Sequence, residues 1–413
     1  MKLVGKILLS IILAVMFFGI LYVGVTVVIW DGAKAEPMSF ESGLGEIMMK
    51  GHEESAHQAV SIALKKIEEI TAKEREWNAY IDKLLESMTM EQKLAQMMIL
   101  TNENDITQYN LTNYQPGGVI LFEVDFAGKT IEQVRNRVDI MQSHMKIPLY
   151  VGVDEEGGQV SRLKTLAERD LPTFSGAREL MGKGTDAVTE DTELKMQYLK
   201  QLGINLNFAP VADVVSNRQS YMYYRSAGDN KQVVSDYVKT VLSAMKDSGV
   251  SACVKHFPGY GNNVNTHNVM AKDDRALEEY ENQDFVPFRT GIQNGVDMIM
   301  VSHIVMEQVD ADNPASLSSS VHNLLRADLG FSGVVITDDL NMQAILRTMT
   351  IEEATGAAFV AGNDMVFSAD FAASMKGAKA AVEQGKLSET QINESVRRIL
   401  RMKIDNGVLM VEE

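Results

Sequence analysis

Within thirteen residues, 255–267, the chain gathers a lysine, two histidines and an amide: Lys255, His256, Asn265 and His267. A short apolar run, 250–254, leads into Lys255-His256-Phe257, and Pro258-Gly259-Tyr260-Gly261 then forces a turn. Such a run reads as a buried strand, and the Pro/Gly cluster as the loop that ends it. A histidine there can give and take a proton near neutral pH. Three other strand-like runs end in groups with chemistry. Asp154-Glu155-Glu156-Gly157-Gly158 leads to Arg162, and the paired glycines allow a tight loop that turns Asp154 and Arg162 inward. Asp213 follows a run at 204–211, with Arg225-Ser226-Ala227-Gly228 beyond it. Thr337-Asp338-Asp339-Leu340-Asn341-Met342 closes the run at 333–336. A carboxylate at a strand tip is placed to attack an electrophilic carbon. Glu155 and Glu156 read as an acidic loop, and Asp339 as a cap for the following helix.

These motifs resemble glycoside hydrolase family 3, in its single-barrel β-N-acetylglucosaminidase branch. The resemblance spans roughly residues 80–406 and rests on Lys255-His256-Phe257-Pro258-Gly259-Tyr260-Gly261 with the loop histidine, and on the three strand-end motifs. It implies a retaining mechanism with Asp338 as nucleophile and His267 as acid/base. It also implies sugar contacts from Asp154, Arg162, Arg225, Lys255 and His256. Asp213 stands between two roles, substrate ligand or partner of another side chain. Two positions depart from the family pattern. Ala227 replaces an aromatic residue, and Asn265 stands where the family has the aspartate that orients the histidine. Asn265 can accept a hydrogen bond but adds no charge, so Asp273 or Asp274 could serve as the missing partner. His303, after the run 298–302, could border the pocket or be a buried structural residue.

The elements that must position these groups follow from the pattern. Apolar runs at 97–100, 118–122, 149–153, 204–211, 250–254, 297–301, 333–336 and 364–367 alternate with amphipathic stretches such as 130–145, 191–202, 231–247 and 276–294. Eight strands alternating with helices predict an α/β fold, a (β/α)8 TIM-type barrel with its site at the C-terminal ends of the strands. An open doubly wound sheet would gather polar residues at one switch point rather than at many strand ends. After 367 only helical sequence remains, which leaves no room for a second α/β domain.

Residues 7–30 form a nearly unbroken apolar span of 24 residues behind Lys2 and Lys6, long enough to cross a bilayer with the N-terminus inside. Ala33-Lys34-Ala35 offers an alternative, cleavage of a signal peptide and secretion. The expected organisation is a signal anchor at 1–35, a polar helical stalk at 36–79 and a barrel domain at 80–413, held outside the membrane. Thr89 with Gln92 marks the first helix start of that domain.

With 45% hydrophobic residues among 413, the chain can bury a large core. A net charge of −17 argues against nucleic acid as partner. The single cysteine, Cys253, excludes an internal disulfide. No metal or cofactor motif emerges, because His52, His57, His144, His303 and His322 lack ligand spacing. The expected partner is a carbohydrate containing N-acetylglucosamine, cut from cell-wall-derived or related glycans. Two rivals remain: a sugar-binding protein weakened in catalysis at Asn265, and a surface scaffold that uses the barrel only as a platform.

Overall fold

The computed structural model describes residues 43–411 apart from 102 and 169, with side chains from 61 onward apart from 63. The apolar span at 7–30 and the cleavage motif lie outside the described residues. Among the described residues no helix is long and apolar enough to cross a membrane. The described residues fall into two units, divided between Asp82 and Lys83. One helix, Gly43–Ser87, is 45 residues long and runs unbroken through the expected boundary at 79/80. Its exposed Ile62 and Leu64 lie among lysines and glutamates.

Among the described residues the second unit is built on ten strands: β1 Met98–Leu100, β2 Gly118–Leu121, β3 Tyr150–Val153, β4 Leu206–Asn207, β5 Ser251–Phe257, β6 Ala271–Asp273, β7 Met298–Val301, β8 Ile304–Met306, β9 Val334–Asp339 and β10 Met365–Ser368. Eight close into a barrel in the order β1-β10-β9-β7-β5-β4-β3-β2, every pair parallel. Closure comes from β1 lying beside β10, with Met98 opposite Val366 and Leu100 opposite Ser368. Strands covered on both faces favour continuous apolar sequence rather than alternation. Tyr150-Val151-Gly152-Val153 and Met298-Ile299-Met300-Val301 are accordingly buried at every position. Inside the barrel Phe208 and Phe367 meet edge to face at 5.0 Å. Gly152 makes room for them, since a Cβ there would lie 2.5 Å from the Phe208 ring.

The outer helices bury one stripe each. In Lys231–Met245 the stripe is Val234, Val238, Val241, Leu242 and Met245, and in Glu389–Asp405 it is Ile392, Val396, Ile399 and Leu400. Thr89, Thr130, Thr350 and Ser388 each begin a helix with a reciprocal capping box to Gln92, Gln133, Glu353 and Gln391. The remaining strands, β6 and β8, form a separate parallel pair, Ala271 to Asp273 against Ile304 to Met306. That pair carries the return of the long loop after β5 back toward the barrel.

Candidate active site

The C-terminal ends of the barrel strands enclose a cavity of about 670 Å³. Asp154, Arg162, Arg225, Lys255, His256, Asn265, His267 and Asp338 all line it. They come from the ends of β3, β5 and β9 and from the loops after β3, β4 and β5.

The loop after β3 is set by two devices. Asn207, at the end of β4, clasps it with Oδ1 accepting from Glu155 N at 3.0 Å and Nδ2 donating to Glu155 O at 3.0 Å. Gly157, at φ +89°, turns where a Cβ would lie 2.3 Å from Ser175 O. Glu155 and Glu156, which the sequence presents as a bland acidic pair, both point inward and are buried. Glu155 Oε2 accepts the backbone N–H of Arg162 at 2.7 Å and of Leu163 at 3.0 Å, which fixes where Arg162 enters the cavity.

Glu156 holds the cations. Its Oε1 lies 2.6 Å from Lys255 Nζ, and Arg225 grips the same carboxylate with two hydrogen bonds, at 2.9 and 2.7 Å. Burial alone would raise this carboxyl, but Arg225 and Lys255 override burial and hold it well below the usual carboxylate range. Lys255 also reaches Asp154 Oδ1 at 2.7 Å, and Arg162 lies 3.7 Å from Asp154 Oδ2. Burial works against the Lys255 ammonium, yet Asp154 and Glu156 raise its proton affinity. The two buried cations are therefore paired, and Asp154 keeps half-exposed oxygens toward the cavity.

Asp213 does not line the cavity. It is fully buried, with Oδ2 2.7 Å from His256 Nδ1 and Oδ1 accepting the Tyr260 N–H at 2.7 Å. Of the two roles open to it in the sequence, this geometry fits the partner: it aims His256, whose Nε2 faces Arg225 Nη2 at 3.3 Å.

Asp338 lies near the end of β9 with Oδ1 accepting the Asp339 N–H at 2.8 Å. Burial would raise its carboxyl, but the imidazoles of His256, His303 and His267 and the Asp339 N–H hold it below its ordinary value. It is thus kept as a carboxylate. Asp339 also lines the cavity, and burial pushes its carboxyl up to about 6. It caps no helix. Its Oδ1 accepts from Asn341 N at 2.8 Å, and the short helix Gln343–Leu346 begins behind Met342.

His267 stands on the loop after β5. Its Nδ1 is 2.8 Å from Asn265 Oδ1, and that oxygen also accepts the His267 backbone N–H at 3.0 Å. An atom that accepts from a backbone N–H is the amide oxygen, so the ring donates from Nδ1 and leaves Nε2 free for the cavity. Burial lowers the proton affinity of His267, and the Asp338 charge opposes it. Asp273 is not its partner, since it is taken by Arg275 at 2.8 Å and by Asn263 at 2.6 Å. The loop is tied down where the histidine sits: Gln343 N and Ala344 N donate to the carbonyls of His267 and Thr266, at 3.4 and 3.2 Å. His303 is a buried structural residue between Ser316 Oγ at 2.7 Å and the Asp339 carbonyl at 2.9 Å. Among the described residues no cluster of three His, Cys, Asp or Glu side chains has metal-binding geometry.

The family model for the glycosyl hydrolase family 3 N-terminal domain matches residues 89–402. The chain belongs to glycosyl hydrolase family 3. Within this family it is 31% identical over 330 residues to the β-hexosaminidase LpqI of Mycobacterium tuberculosis, which covers 76% of this chain and 82% of that one. A β-hexosaminidase of Xanthomonas euvesicatoria is 32% identical over 254 residues, 60% of this chain and 75% of the relative. Among solved structures, a family 3 β-N-acetylglucosaminidase from Paenibacillus superposes with a TM-score of 0.74 at 32% identity, over 78% of this chain and 63% of its own. The structure of M. tuberculosis LpqI superposes with a TM-score of 0.70 at 30% identity, over 76% of this chain and 94% of its own. These relatives put the chain in the β-hexosaminidase branch of the family.

Proposed function

We propose that this family 3 glycosidase removes terminal β-linked N-acetylglucosamine with retention of configuration. The observation that carries the reading is one cavity shared by a partly buried carboxylate whose proton affinity is lowered, Asp338, and a histidine whose Nε2 is left free, His267. Asp338 attacks the anomeric carbon while His267 Nε2–H protonates the departing oxygen, giving a glycosyl-enzyme ester on Asp338. The neutral imidazole then takes a proton from water, which attacks the same carbon and releases the sugar. Asp154, Arg162, Arg225, Lys255 and His256 surround the space for the sugar hydroxyls, and Glu156 and Asp213 hold them in place. The acetamido sugar is supported by the relatives, several of which are named β-hexosaminidase or β-N-acetylglucosaminidase.

Cell-wall-derived glycans are the substrates this reading favours. The apolar span at 7–30 favours an enzyme tethered to the membrane with its barrel outside. Carbonate extraction tests the tether: the full-length chain should stay in the membrane pellet. Hydrolysis of an aryl β-N-acetylglucosaminide, with the β-anomer of the sugar as first product, tests the activity. One feature favours a second reading, a sugar-binding protein with little turnover: the uncharged Asn265 behind His267. N-acetylglucosamine binding without hydrolysis would select it.

A further inference from the structure

Residues 258–270, between β5 and β6, form neither helix nor strand, so individual hydrogen bonds rather than a regular ladder decide where His267 stands. The residue just before it, Thr266, is held at every polar atom. The Tyr260 hydroxyl is bonded to Thr266 Oγ1, the same phenol oxygen accepts the Thr266 N–H at 3.4 Å, and the Thr266 carbonyl accepts from Ala344 N at 3.2 Å. A phenol that accepts an N–H still has its own proton to give, so the hydroxyl donates to Thr266 Oγ1. Both side chains are buried.

Tyr260 is itself a fixed post. Asp213 Oδ1 accepts its N–H at 2.7 Å, and its ring meets those of Tyr221 and His256 edge to face, each at 5.4 Å. Val211, Val215, Met222, Ala271 and Ile304 complete the buried cluster around it. The other oxygen of Asp213 is 2.7 Å from His256 Nδ1. One buried carboxylate therefore seats both His256 and, by way of Tyr260, the loop of the second histidine. Tyr260 does not line the cavity. Burial pushes its phenol up to about 12, so the hydroxyl keeps its proton through neutral pH and remains a donor to the loop.

Acid catalysis needs the proton donor within hydrogen-bond reach of the departing oxygen, and a misplacement of about 1 Å can cost on the order of 100-fold in rate. On the glycosidase reading above, in which His267 is the acid, we propose that Tyr260 is a positioning residue: its hydroxyl, acting through Thr266, holds His267 in place for proton transfer. Without that hydroxyl the Thr266 Oγ1 and N–H are left buried and unpaired. The loop relieves this by shifting, and His267 shifts with it.

Two substrates read the role: a β-linked N-acetylglucosamine disaccharide, and an aryl β-N-acetylglucosaminide whose leaving group has a low pKa and departs with little help from an acid. Tyr260→Phe keeps the ring and removes only the hydroxyl. It should lower kcat/KM on the disaccharide about 10- to 100-fold, through kcat with KM kept, and on the aryl substrate by less than about threefold. Thr266→Val should do the same, and it decides the matter if Tyr260→Phe does not fold. The double variant should lose no more than either single one, since both break one bond. Thr266→Ser keeps the hydroxyl and should keep the native rates. Equal losses on the two substrates, additive losses in the double variant, or no loss in either single variant overturn the role of Tyr260 and leave the glycosidase reading intact. His267→Gln on the same pair separates the two: if it lacks the disaccharide-specific loss, the acid assignment falls and the role of Tyr260 with it.

Discussion

Asn265 turns its amide oxygen to Nδ1 of His267 at 2.8 Å, so the histidine has an oriented ring but no charged partner. A leaving group of low pKa departs with little help, whereas a sugar needs a proton, which on the proposed mechanism comes from His267. Asn265→Asp should therefore raise kcat/KM on natural disaccharides by about tenfold or more, and on an aryl substrate by less. A carboxylate beside the ring favours the imidazolium. His267, lowered by burial, should then keep its proton to higher pH, and the basic limb of the rate profile should move upward. No gain on either substrate would show that proton delivery is not limited by this pair.

If Asp338 is the nucleophile proposed above, Asp338→Asn should lower turnover on aryl and natural substrates alike by about four orders of magnitude or more. A mechanism-based fluorosugar should label Asp338 in the native enzyme, read by mass spectrometry of peptides. Label on Asp339 or Asp213 would reassign the role. Because the neighbouring imidazoles lower the proton affinity of Asp338, the acidic limb should lie below the ordinary value for an aspartate.

Glu156→Gln leaves Lys255 with Asp154 alone and strips Arg225 of its bidentate partner. Removing one member of a buried ion pair costs about 3–5 kcal/mol. Chemical denaturation should show a loss of that order, and KM for the sugar should rise because both cations lose their positions. A variant with unchanged stability would show that Asp154 suffices to hold them.

Far from the cavity, Lys403 is fully buried with Gln96 Oε1 at 3.1 Å as its hydrogen-bond partner. Burial pushes its ammonium from the ordinary 10.5 down to about 7. In the window between those values the unfolded chain holds the proton and the folded chain releases it, so stability rises with pH across it. Lys403→Met should flatten that rise and stabilise the protein at neutral pH by about 1–4 kcal/mol. Urea denaturation at several pH values measures both effects.

The barrel was legible because its eight strands are sealed on both faces, which demands apolar runs such as 149–153 and 297–301. The pair β6 and β8 was not. Ala271-Lys272-Asp273 shows no apolar run, and Ile304-Val305-Met306 follows too closely on β7 to stand apart. In the site, the Lys255–His267 stretch carried its own signal, because strand end, turn and histidine are consecutive. Glu155 and Glu156 were illegible for a physical reason. An acidic pair in a loop reads the same whether water or buried Arg225 and Lys255 neutralises it, and those cations lie about 70 and 100 residues away.

Asn262 and His267 ride on the same stretch of chain, and Asn262 carries the two hydrogen bonds that seat residues 216 and 217. The loop that bears the proposed acid is therefore fastened by two hydrogen bonds to the segment that follows β4 and lines the cavity. On the proposed mechanism, a displacement of that segment would also disturb the placement of His267.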